Sequence, residues 1–329
     1  MSKGSQPTPL SQRFKAIRTE ARTLVVDFLA YALVRLLVAV IQTLPLDMGD
    51  SVCRVIAAIA AGPLKIRRKT TEHNLQQIFP DSSDESRKSL ELAMWHHLLL
   101  MVCEIAWAQR RLHRCNWNQH VTFQANREFL RHLLSDRPSV VVTGHFGNFE
   151  IGGYVTGLMG MSTLTIARRL DNRFLHRWVE RFRGAKGQHM VDKEGCAPEV
   201  ERHLDQGGIL VLLADQHAGP KGCWDNFLGV PASCHKALSL FALSSDAPMM
   251  VGSTRRVYGQ PMQFVMSCTG IIDPQEDPEN HCDSVTSMTQ WYNQRLAQAI
   301  KPAVEQYWWL HRRWREPPPR VAKRLAKAA

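Results

Sequence analysis

The sequence predicts an α/β fold in which a mostly parallel central sheet is flanked by helices and preceded by a membrane-associated N-terminal helix. From residue 138 onward, short apolar runs alternate with longer amphipathic segments, an order typical of a parallel sheet. Glycine or proline closes many of these segments. The longest apolar stretch, residues 24–44, precedes them and is long enough to form a helix within a bilayer.

The predicted organisation has four parts. Residues 1–23 are polar and basic, and we expect them to be disordered. Residues 24–44 form the expected membrane anchor, which is retained because no signal-peptide cleavage site follows it. Residues 45–318 form one folded domain, and residues 319–329 a basic tail that can contact anionic lipid.

Polar residues within the anchor indicate whether it spans the membrane or lies in the interface. Arg35 lies near the middle of the stretch, where a full span would cost about 2.5–3.5 kcal/mol for that residue alone. The alternatives are a helix that lies in the interface with Arg35 reaching the headgroups, or a buried helix of a soluble core. The eight cysteines include no CxxC pair, which favours reduced thiols and a cytosolic domain. We therefore expect a monotopic anchor.

The folded domain begins with helices and continues with alternating strands and helices. Residues 45–135 are predicted to be mostly helical, because apolar residues recur there at helical spacing between a possible cap and a proline or glycine stop. The apolar, glycine-rich run at 151–160 is predicted to be a helix packed closely on the sheet. Strands are predicted at 138–144, 162–167, 189–192, 208–215, 248–257 and 262–270. Later helices are predicted at 173–184, 198–208, 234–246 and 285–314.

The charge balance favours an anionic partner. The chain has 41 Lys and Arg against 30 Asp and Glu, a formal net charge of +11. Nucleic acid, an anionic membrane surface and a phosphorylated substrate all meet this condition, and composition does not choose among them. The chain contains no P-loop and no GxSxG nucleophile motif.

The strongest local signal is GHFGNFE, residues 144–150, which follows a strand of three valines. Active sites of such sheets collect at the carboxyl ends of the strands, where His145 is expected. Glu150 can orient the imidazole only if His145 lies in the turn and Glu150 in the first turns of a helix, because five residues on one helix do not share a face. The imidazole could then remove a proton from a hydroxyl. A hydrogen-bonded histidine at a strand end is the alternative.

GHFGNFE resembles the His-x4-acid motif of the bacterial lipid A biosynthesis acyltransferases, the late enzymes that add secondary acyl chains. Four further segments resemble signatures of this family in the family's order, so the likeness covers most of residues 24–318. These segments are NLQQIFP (74–80), ARRLDNRFLHRWVERFRG (167–184), LADQHAGPKGCWDNFLGVPAS (213–233) and YWWLHRRWREPP (307–318).

The resemblance implies a fold like that of the glycerol-phosphate acyltransferases and a role for each matching residue. His145 would be the general base and Glu150 its orienting partner. Arg168 or Arg169 would bind a substrate phosphate or polarise the thioester carbonyl. The other residues expected to bind substrate are Asn172, Asp215 and Gln216.

The resemblance also implies the substrates and the location. An acyl thioester of acyl carrier protein or coenzyme A would be the donor, and a hydroxyl of a lipid A precursor the acceptor. No metal or other cofactor is expected, because a thioester is already activated. Anionic membrane lipid is a further expected partner, and nucleic acid is not expected to bind. The expected location is the cytoplasmic face of the inner membrane.

Two departures from the family pattern leave the acceptor open. His217 stands where the family often has a second acid, and residues 224–228 replace its usual aromatic and proline run. Another acceptor, such as a phosphatidylinositol mannoside or a different membrane lipid, is the first alternative. A non-enzymatic basic protein that binds membrane or nucleic acid is the second.

Overall fold

A computed structural model of the chain describes residues 10–124, 127–184 and 186–328. A seven-stranded sheet lies between helices, with a separate two-stranded hairpin, and the predicted α/β class with a mostly parallel sheet is confirmed. The strands are β1 Val121–Gln124, β2 Ser139–Thr143, β3 Thr163–Ala167, β4 Gln188–Asp192, β5 Ile209–Leu213, β6 Cys223–Phe227, β7 Val230–Cys234, β8 Met249–Arg256 and β9 Phe264–Ile272. The helices are α1 Leu10–Thr43, α2 Leu46–Ala61, α3 Arg68–Ile78, α4 Asp84–Arg111, α5 Arg127–Leu133, α6 Phe149–Leu158, α7 Arg173–Gly184, α8 Ala197–Asp205, α9 Ala237–Ser244, α10 Val285–Ile300 and α11 Pro319–Ala328, with 3-10 turns at Trp117–Gln119 and Lys301–Gln306.

The strand order places two strand ends side by side at the centre of the sheet. The order is β1-β9-β8-β2-β5-β3-β4, and every pairing is parallel except that of β8 with β9. After β2 the chain leads to β3 on one side, and after β5 it leads to β8 on the other. Such a reversal opens a crevice at the carboxyl ends of the strands. In the register of β2 and β5, Thr143 lies opposite Leu213, so the residues that follow both strands meet in this crevice.

The alternation of side chains along the strands produces a core on each face of the sheet. Val140 and Val142 of β2 point to the face covered by α9 and α10, where they are fully buried. Val141 points to the other face, towards Phe129 of α5. Each fully buried side chain of this size stabilises the fold by about 1.5–3 kcal/mol.

The N-terminal helix is longer than expected. Helix α1 begins at Leu10, so the prediction of a disordered segment over residues 1–23 is wrong for residues 10–23, while residues 1–9 lie outside the described residues. Residues 10–23 contain several good helix formers, and each residue added to an existing helix gains one backbone hydrogen bond. The apolar segment 24–44 therefore extends towards the N-terminus as one helix.

Helices α1 and α2 expose large apolar side chains. Small residues of α2, such as Gly49, Cys53 and Ala57, are buried, and α2 packs closely on α4. The opposite side of α2 and much of α1 present leucine, valine and isoleucine to the outside, including Leu33 (66% exposed) and Val55 (61% exposed). Within the part of the chain that the structure describes, two helices are long and apolar enough to cross a membrane, Ala21–Thr43 and Asp84–Arg111. Half of the second is buried within the fold, as in a core helix.

The C-terminal segment departs from the predicted helix 285–314. Helix α10 ends at Ile300, a 3-10 turn follows, and residues 307–318 are irregular. Pro302 cannot continue the hydrogen bonds of an α-helix, and the backbone of the irregular segment is used by tertiary contacts instead. Asn74 Nδ2 donates to the carbonyls of Trp309 and His311, each at 2.7 Å.

Three strands were missed by the sequence prediction. Strand β1 pairs with β9 at the sheet edge, inside the region expected to be mostly helical. Strands β6 and β7 form an antiparallel hairpin where no strand was expected. Leu228 and Gly229 connect the hairpin, both with positive φ, as in a tight two-residue turn that suits the twist of the strands.

Candidate active site

His145 and Asp215 meet at the carboxyl ends of the two central strands. Each residue follows its strand by two positions, and the parallel register brings them together. The Nδ1 atom of His145 lies 2.8 Å from Asp215 Oδ1, and the backbone N–H of His145 donates to Oδ2 at 3.0 Å. Both carboxylate oxygens are thus occupied by one residue, which fixes the imidazole in place.

The hydrogen bonds define which imidazole nitrogen is free. A carboxylate only accepts, so Nδ1 of His145 donates to Asp215, and in the neutral form of the ring Nε2 has the unshared electron pair. Gln216 Nε2 lies 3.5 Å from that atom. Burial alone would raise the pKa of Asp215, but the neighbouring His145 imidazole and the hydrogen bonds from His145 outweigh burial and lower this pKa to about 2. Asp215 is therefore a carboxylate at neutral pH.

Aromatic rings enclose the imidazole. The ring centres of Phe149, Trp308 and His311 lie 5.3, 4.9 and 4.8 Å from that of His145. The backbone N–H of Trp308 donates to the carbonyl of His145 at 3.1 Å, which joins the irregular C-terminal segment to the turn. Burial, and then the neighbouring His145, lower the pKa of His311 to about 4, so His311 is neutral at neutral pH.

Glu150 does not contact His145 in the structure. The asparagine at position 148 caps α6, and Glu150 follows in the first turn of that helix, where its carboxylate faces α7. It forms a two-point ion pair with Arg183, with Arg183 Nε 3.1 Å from Glu150 Oε2. The expectation that Glu150 orients the imidazole is therefore corrected, because Asp215 occupies the imidazole nitrogen that an orienting acid would need.

A mostly apolar cavity opens beside the Glu150–Arg183 pair. It lies between α6 and the face of the sheet formed by Val141, Val211 and Leu213, and Phe129 of α5 also lines it. Gly152 and Gly153 face it from α6, where a Cβ at Gly153 would collide with Gln188. The absence of side chains here keeps space between the helix and the sheet. Since Phe149 lines the cavity and contacts His145, the cavity begins beside the imidazole.

A buried ion pair between Glu104 and Arg256 supports the turn that carries His145. Glu104 of α4 accepts from Arg256 Nε at 2.6 Å and from Arg256 Nη2 at 2.8 Å. Glu104 also accepts from Asn148 Nδ2 at 2.9 Å, so it contacts the residue that caps α6. His97 Nε2 lies 3.2 Å from the Gly147 carbonyl, and its Nδ1 lies 3.0 Å from Arg256 Nη1.

Gly147 completes this arrangement. Its φ of +60° is in the region that favours glycine, and a Cβ there would collide with the Thr254 carbonyl. Burial, and then the charge of Arg256, lower the pKa of His97 well below its usual value, so this imidazole is neutral. The backbone that follows His145 is thus held by the neutral His97 imidazole and by the Glu104–Arg256 ion pair, whose opposite charges offset each other.

Arg313 supports the turn that carries Asp215. Only 1% of this residue is exposed, and its guanidinium lies over the ring of Phe227 at 4.9 Å. It donates to the carbonyl of Gln216 at 2.7 Å and to that of Ser233 at 2.5 Å. These bonds tie the chain after β5 to the β6–β7 hairpin.

The remaining residues expected to bind substrate lie in the loop after β3. Arg168 is exposed and pairs with Asp171 at 3.3 Å, and Arg169 is exposed as well. Asn172 caps α7 through Oδ1, and its Nδ2 donates to the carbonyl of Asp27 in α1 at 2.8 Å. The structure thus gives Asn172 a contact between α7 and α1, and it brings neither arginine to His145.

Several residues of the site carried no local signal in the sequence. Arg183 is one of many arginines in its segment, and nothing in the spacing links it to Glu150. Glu104 and Arg256 are 152 residues apart, so only the fold brings them together. Among residues 10–124, 127–184 and 186–328, no group of three His, Cys, Asp or Glu side chains is placed to hold a metal ion.

Comparison with known proteins identifies the family. Residues 18–316 match the model of the bacterial lipid A biosynthesis acyltransferases, so the chain belongs to this family and the resemblance of its motifs is confirmed. Its class of activity is acyl transfer. It is 23% identical over 270 residues to the lipid A biosynthesis lauroyltransferase of Escherichia coli (strain K12), covering 79% of this chain and 83% of that protein.

Two further similarities complete the comparison. The lipid A biosynthesis palmitoleoyltransferase of the same Escherichia coli strain is 26% identical over 272 residues, with 80% of this chain and 83% of that protein covered. The crystal structure of the 1-acyl-sn-glycerophosphate acyltransferase PlsC from Thermotoga maritima aligns with a TM-score of 0.39 and 10% identity, over 83% of this chain and 100% of that chain.

Proposed function

We propose that this protein transfers a fatty acyl chain from a thioester to a hydroxyl of a lipid A precursor, with His145 as the general base. The observation that carries the proposal is the His145–Asp215 pair at the edge of the sheet, beside an apolar cavity. A fixed imidazole with a free nitrogen can take a proton, and an apolar cavity can hold a hydrocarbon chain.

The reaction begins when His145 Nε2 removes the proton of the acceptor hydroxyl as its oxygen attacks the thioester carbonyl carbon. Asp215 stabilises the imidazolium that forms. The tetrahedral intermediate collapses with cleavage of the carbon–sulfur bond, and the imidazolium returns its proton to the departing thiolate. The side-chain amide of Gln216, close to the same nitrogen, is the proposed donor to the oxyanion. No metal or other cofactor takes part, because the thioester is already activated.

The cavity between α6 and the sheet is the proposed acyl site. Phe149, whose ring contacts the imidazole, lines the cavity together with Glu150 and Arg183, and we take these three residues as its mouth. We assign Glu150 the task of holding Arg183 at this mouth, where the guanidinium can polarise the thioester carbonyl or contact a donor phosphate. Arg168 and Arg169 remain proposed contacts for substrate phosphate on the exposed loop after β3.

The donor is an acyl thioester of acyl carrier protein or coenzyme A. Both carriers are acidic, and the net charge of +11 favours their approach. The exposed apolar surface of α1 and α2 supports a monotopic association with anionic lipid on the cytoplasmic face of the inner membrane. Arg35 lies 5.7 Å from the ring centre of Trp178 in α7, so its charge need not enter the bilayer core.

Mass spectrometry of membrane lipids from cells with the protein, without it, and with His145→Ala tests this proposal. We expect a lipid A species that gains one acyl mass only when His145 is present. A gain on a different lipid would replace the acceptor but keep the reaction. No change in any lipid, with the protein folded and membrane-bound, would contradict the enzymatic proposal.

A further inference from the structure

A cluster of cations lies between the apolar surface and the candidate active site. It lines a surface depression and combines two distant parts of the chain. Its members are Lys65, Arg67, Arg68 and Lys69 before and at the start of α3, together with Arg312 from the C-terminal segment. We call these five residues the basic cluster.

The basic cluster carries an excess of positive charge. Glu72 is the acid that lines the same depression, and it lies 3.9 Å from Arg68. Within the described part of the chain, no carboxylate is within salt-bridge distance of Lys65, Arg67, Lys69 or Arg312. Four like charges held close together repel one another, and an anion bound between them would relieve this repulsion.

The local sequence increases this cost. The first turn of α3 contains no acidic residue, and Arg67 before it makes no side-chain capping bond. Cations at the start of a helix oppose the helix dipole, whose positive end lies there. Both effects disfavour the observed arrangement in the absence of an anion and favour it when an anion is bound.

Hydrogen bonds fix the basic cluster relative to His145. Asn74, further along α3, is 1% exposed and donates to the carbonyls of Trp309 and His311. His311 contacts the imidazole of His145, and Arg312 follows directly in the chain. The depression therefore lies beside the active site, and its distance from the imidazole is set by the fold.

The exposed apolar side chains next to the basic cluster determine how deep the cluster would lie in a membrane. Ile59 of α2 and Leu64 and Ile66 in the following loop are exposed, at 45%, 62% and 41%. Lys65 and Arg67 alternate with these apolar side chains in the sequence. If the apolar side chains enter the bilayer surface, the cations lie among the headgroups, which is where the phosphoryl groups of a membrane lipid are found.

We propose that the basic cluster binds a phosphoryl group of the acceptor lipid and so presents the acceptor hydroxyl to His145. This inference rests on the proposed function. Phosphate oxygens accept hydrogen bonds from several cations at once, and Arg67 and Arg312, from two distant parts of the chain, both line the depression. The same chemistry could bind the headgroup of a bulk anionic phospholipid, so the experiment must separate these two sources.

The first arm measures binding without turnover. His145→Ala protein is titrated with a phosphorylated lipid A precursor, and with the same precursor after phosphatase treatment, in neutral detergent micelles. We expect about tenfold or more tighter binding of the phosphorylated form, and loss of that preference when Arg67→Gln and Arg312→Gln are added. The matched control carries Arg110→Gln and Arg111→Gln, which remove two exposed charges at the end of α4. Retention of the full preference in the Arg67→Gln/Arg312→Gln protein would overturn the proposal.

The second arm tests the bulk lipid. Flotation with phosphatidylglycerol vesicles should weaken equally in the two double variants, since each loses two positive charges, and flotation with net-neutral phosphatidylcholine vesicles should not change. If Arg67→Gln/Arg312→Gln alone loses the anionic vesicles and keeps its preference in micelles, the cluster binds bulk headgroups and the proposal is wrong.

Transfer by the protein with His145 intact is measured separately, so the two proposals can fail independently. If Arg67→Gln/Arg312→Gln abolishes the phosphoryl preference but the protein with His145 intact shows no transfer, the phosphoryl site is retained and the proposed reaction is rejected. If the protein with His145 intact transfers the acyl chain but the phosphoryl preference survives Arg67→Gln and Arg312→Gln, the reaction is retained and the phosphoryl site is rejected.

Discussion

Two buried carboxylates lie on opposite sides of the turn that carries His145, and their partners differ. Asp215 is in front, at the end of β5, with both oxygens on His145. Glu104 is behind, on α4, where it accepts two hydrogen bonds from Arg256 and others from the Asn148 side chain and the Met262 backbone. Both residues have no exposed surface.

The partners determine what each charge can do. The carboxylate of Glu104 is already paired with the Arg256 guanidinium, so this pair serves to hold structure. The charge of Asp215 faces an imidazole, a group that can accept a proton during a reaction and release it again. Within one turn, therefore, the rear acid is expected to determine stability and the front acid to determine activity.

The largest expected effect comes from removing the imidazole itself. We expect His145→Ala to lower the acyl transfer rate by about 10³–10⁴-fold, because a general base typically contributes up to that factor. The measurement is single-turnover transfer to a lipid A precursor. Thermal unfolding and vesicle binding serve as controls and should be unchanged, and a variant that transfers at the normal rate would exclude His145 as the base.

Removing the rear acid should affect stability more than any other single change in the site. Glu104→Ala leaves Arg256 buried without a counter-charge, which is expected to cost about 3–5 kcal/mol in the free energy of unfolding. Urea unfolding measures this loss, and Glu201→Ala on the exposed side of α8 is the control. A Glu104→Ala protein as stable as that control would show that Arg256 finds another partner.

Removing the front charge should affect activity with little loss of fold. Asp215→Asn keeps the size of the side chain but presents an amide to Nδ1, so the imidazole loses both its tautomer preference and its counter-charge. We expect a loss of about 10²-fold or more in kcat. Circular dichroism and the urea midpoint are the checks on folding, and a well-folded Asp215→Asn protein with normal kcat would contradict the comparison.

Glu150 provides a third carboxylate whose substitution sharpens the contrast. Glu150→Gln leaves the imidazole and Asp215 untouched and weakens the hold on Arg183 at the cavity mouth. We expect about a tenfold loss in kcat/KM, because a hydrogen bond to the guanidinium is retained. The loss in kcat/KM for Asp215→Asn should be larger. Parallel assays of the two variants decide the order, and a larger loss for Glu150→Gln would reverse our assignment of the acids.

The smallest effect concerns pH and stability. The pKa of His311 is about 4 in the folded chain, below its ordinary value of 6.5, so the unfolded chain binds a proton first as the pH falls. Stability should decline from about pH 6.5 to about pH 4 by about 1–3 kcal/mol from this residue. Urea midpoints near pH 7 and near pH 5 measure the decline, which should be smaller in His311→Gln. An equal decline in the variant would assign it to other groups.

Six of the seven strands of the sheet were predictable from the sequence because they are short apolar runs, many of them bounded by glycine or proline. His145 could be placed for the same reason, since it follows the most regular of these runs. The hairpin was missed because Asp225, Asn226 and Pro231 break the apolar pattern of a strand. The helix predicted over 285–314 was too long because Trp308 packs against His145 and Tyr307 packs against Phe227 instead of extending a helix.

The partners within the site were harder to predict than its location. The spacing of His145 and Glu150 is consistent with a pair, but the structure uses those five residues to turn the chain and begin α6. The pairing of His145 with Asp215 depends on the register of β2 and β5, and 70 residues separate the two side chains. No local pattern encodes such a register, so only the family resemblance brought Asp215 into the predicted pocket.

The most direct test of the His145–Asp215 pair is nitrogen NMR of the isotope-labelled imidazole in the folded protein at neutral pH. His145→Ala identifies the resonances of this ring. We expect the proton of the neutral ring on Nδ1 in the unmodified protein and in Glu150→Gln, and a loss of that preference in Asp215→Asn. A ring that keeps its Nδ1 proton in Asp215→Asn and loses it in Glu150→Gln would contradict the pairing on which the proposed mechanism depends.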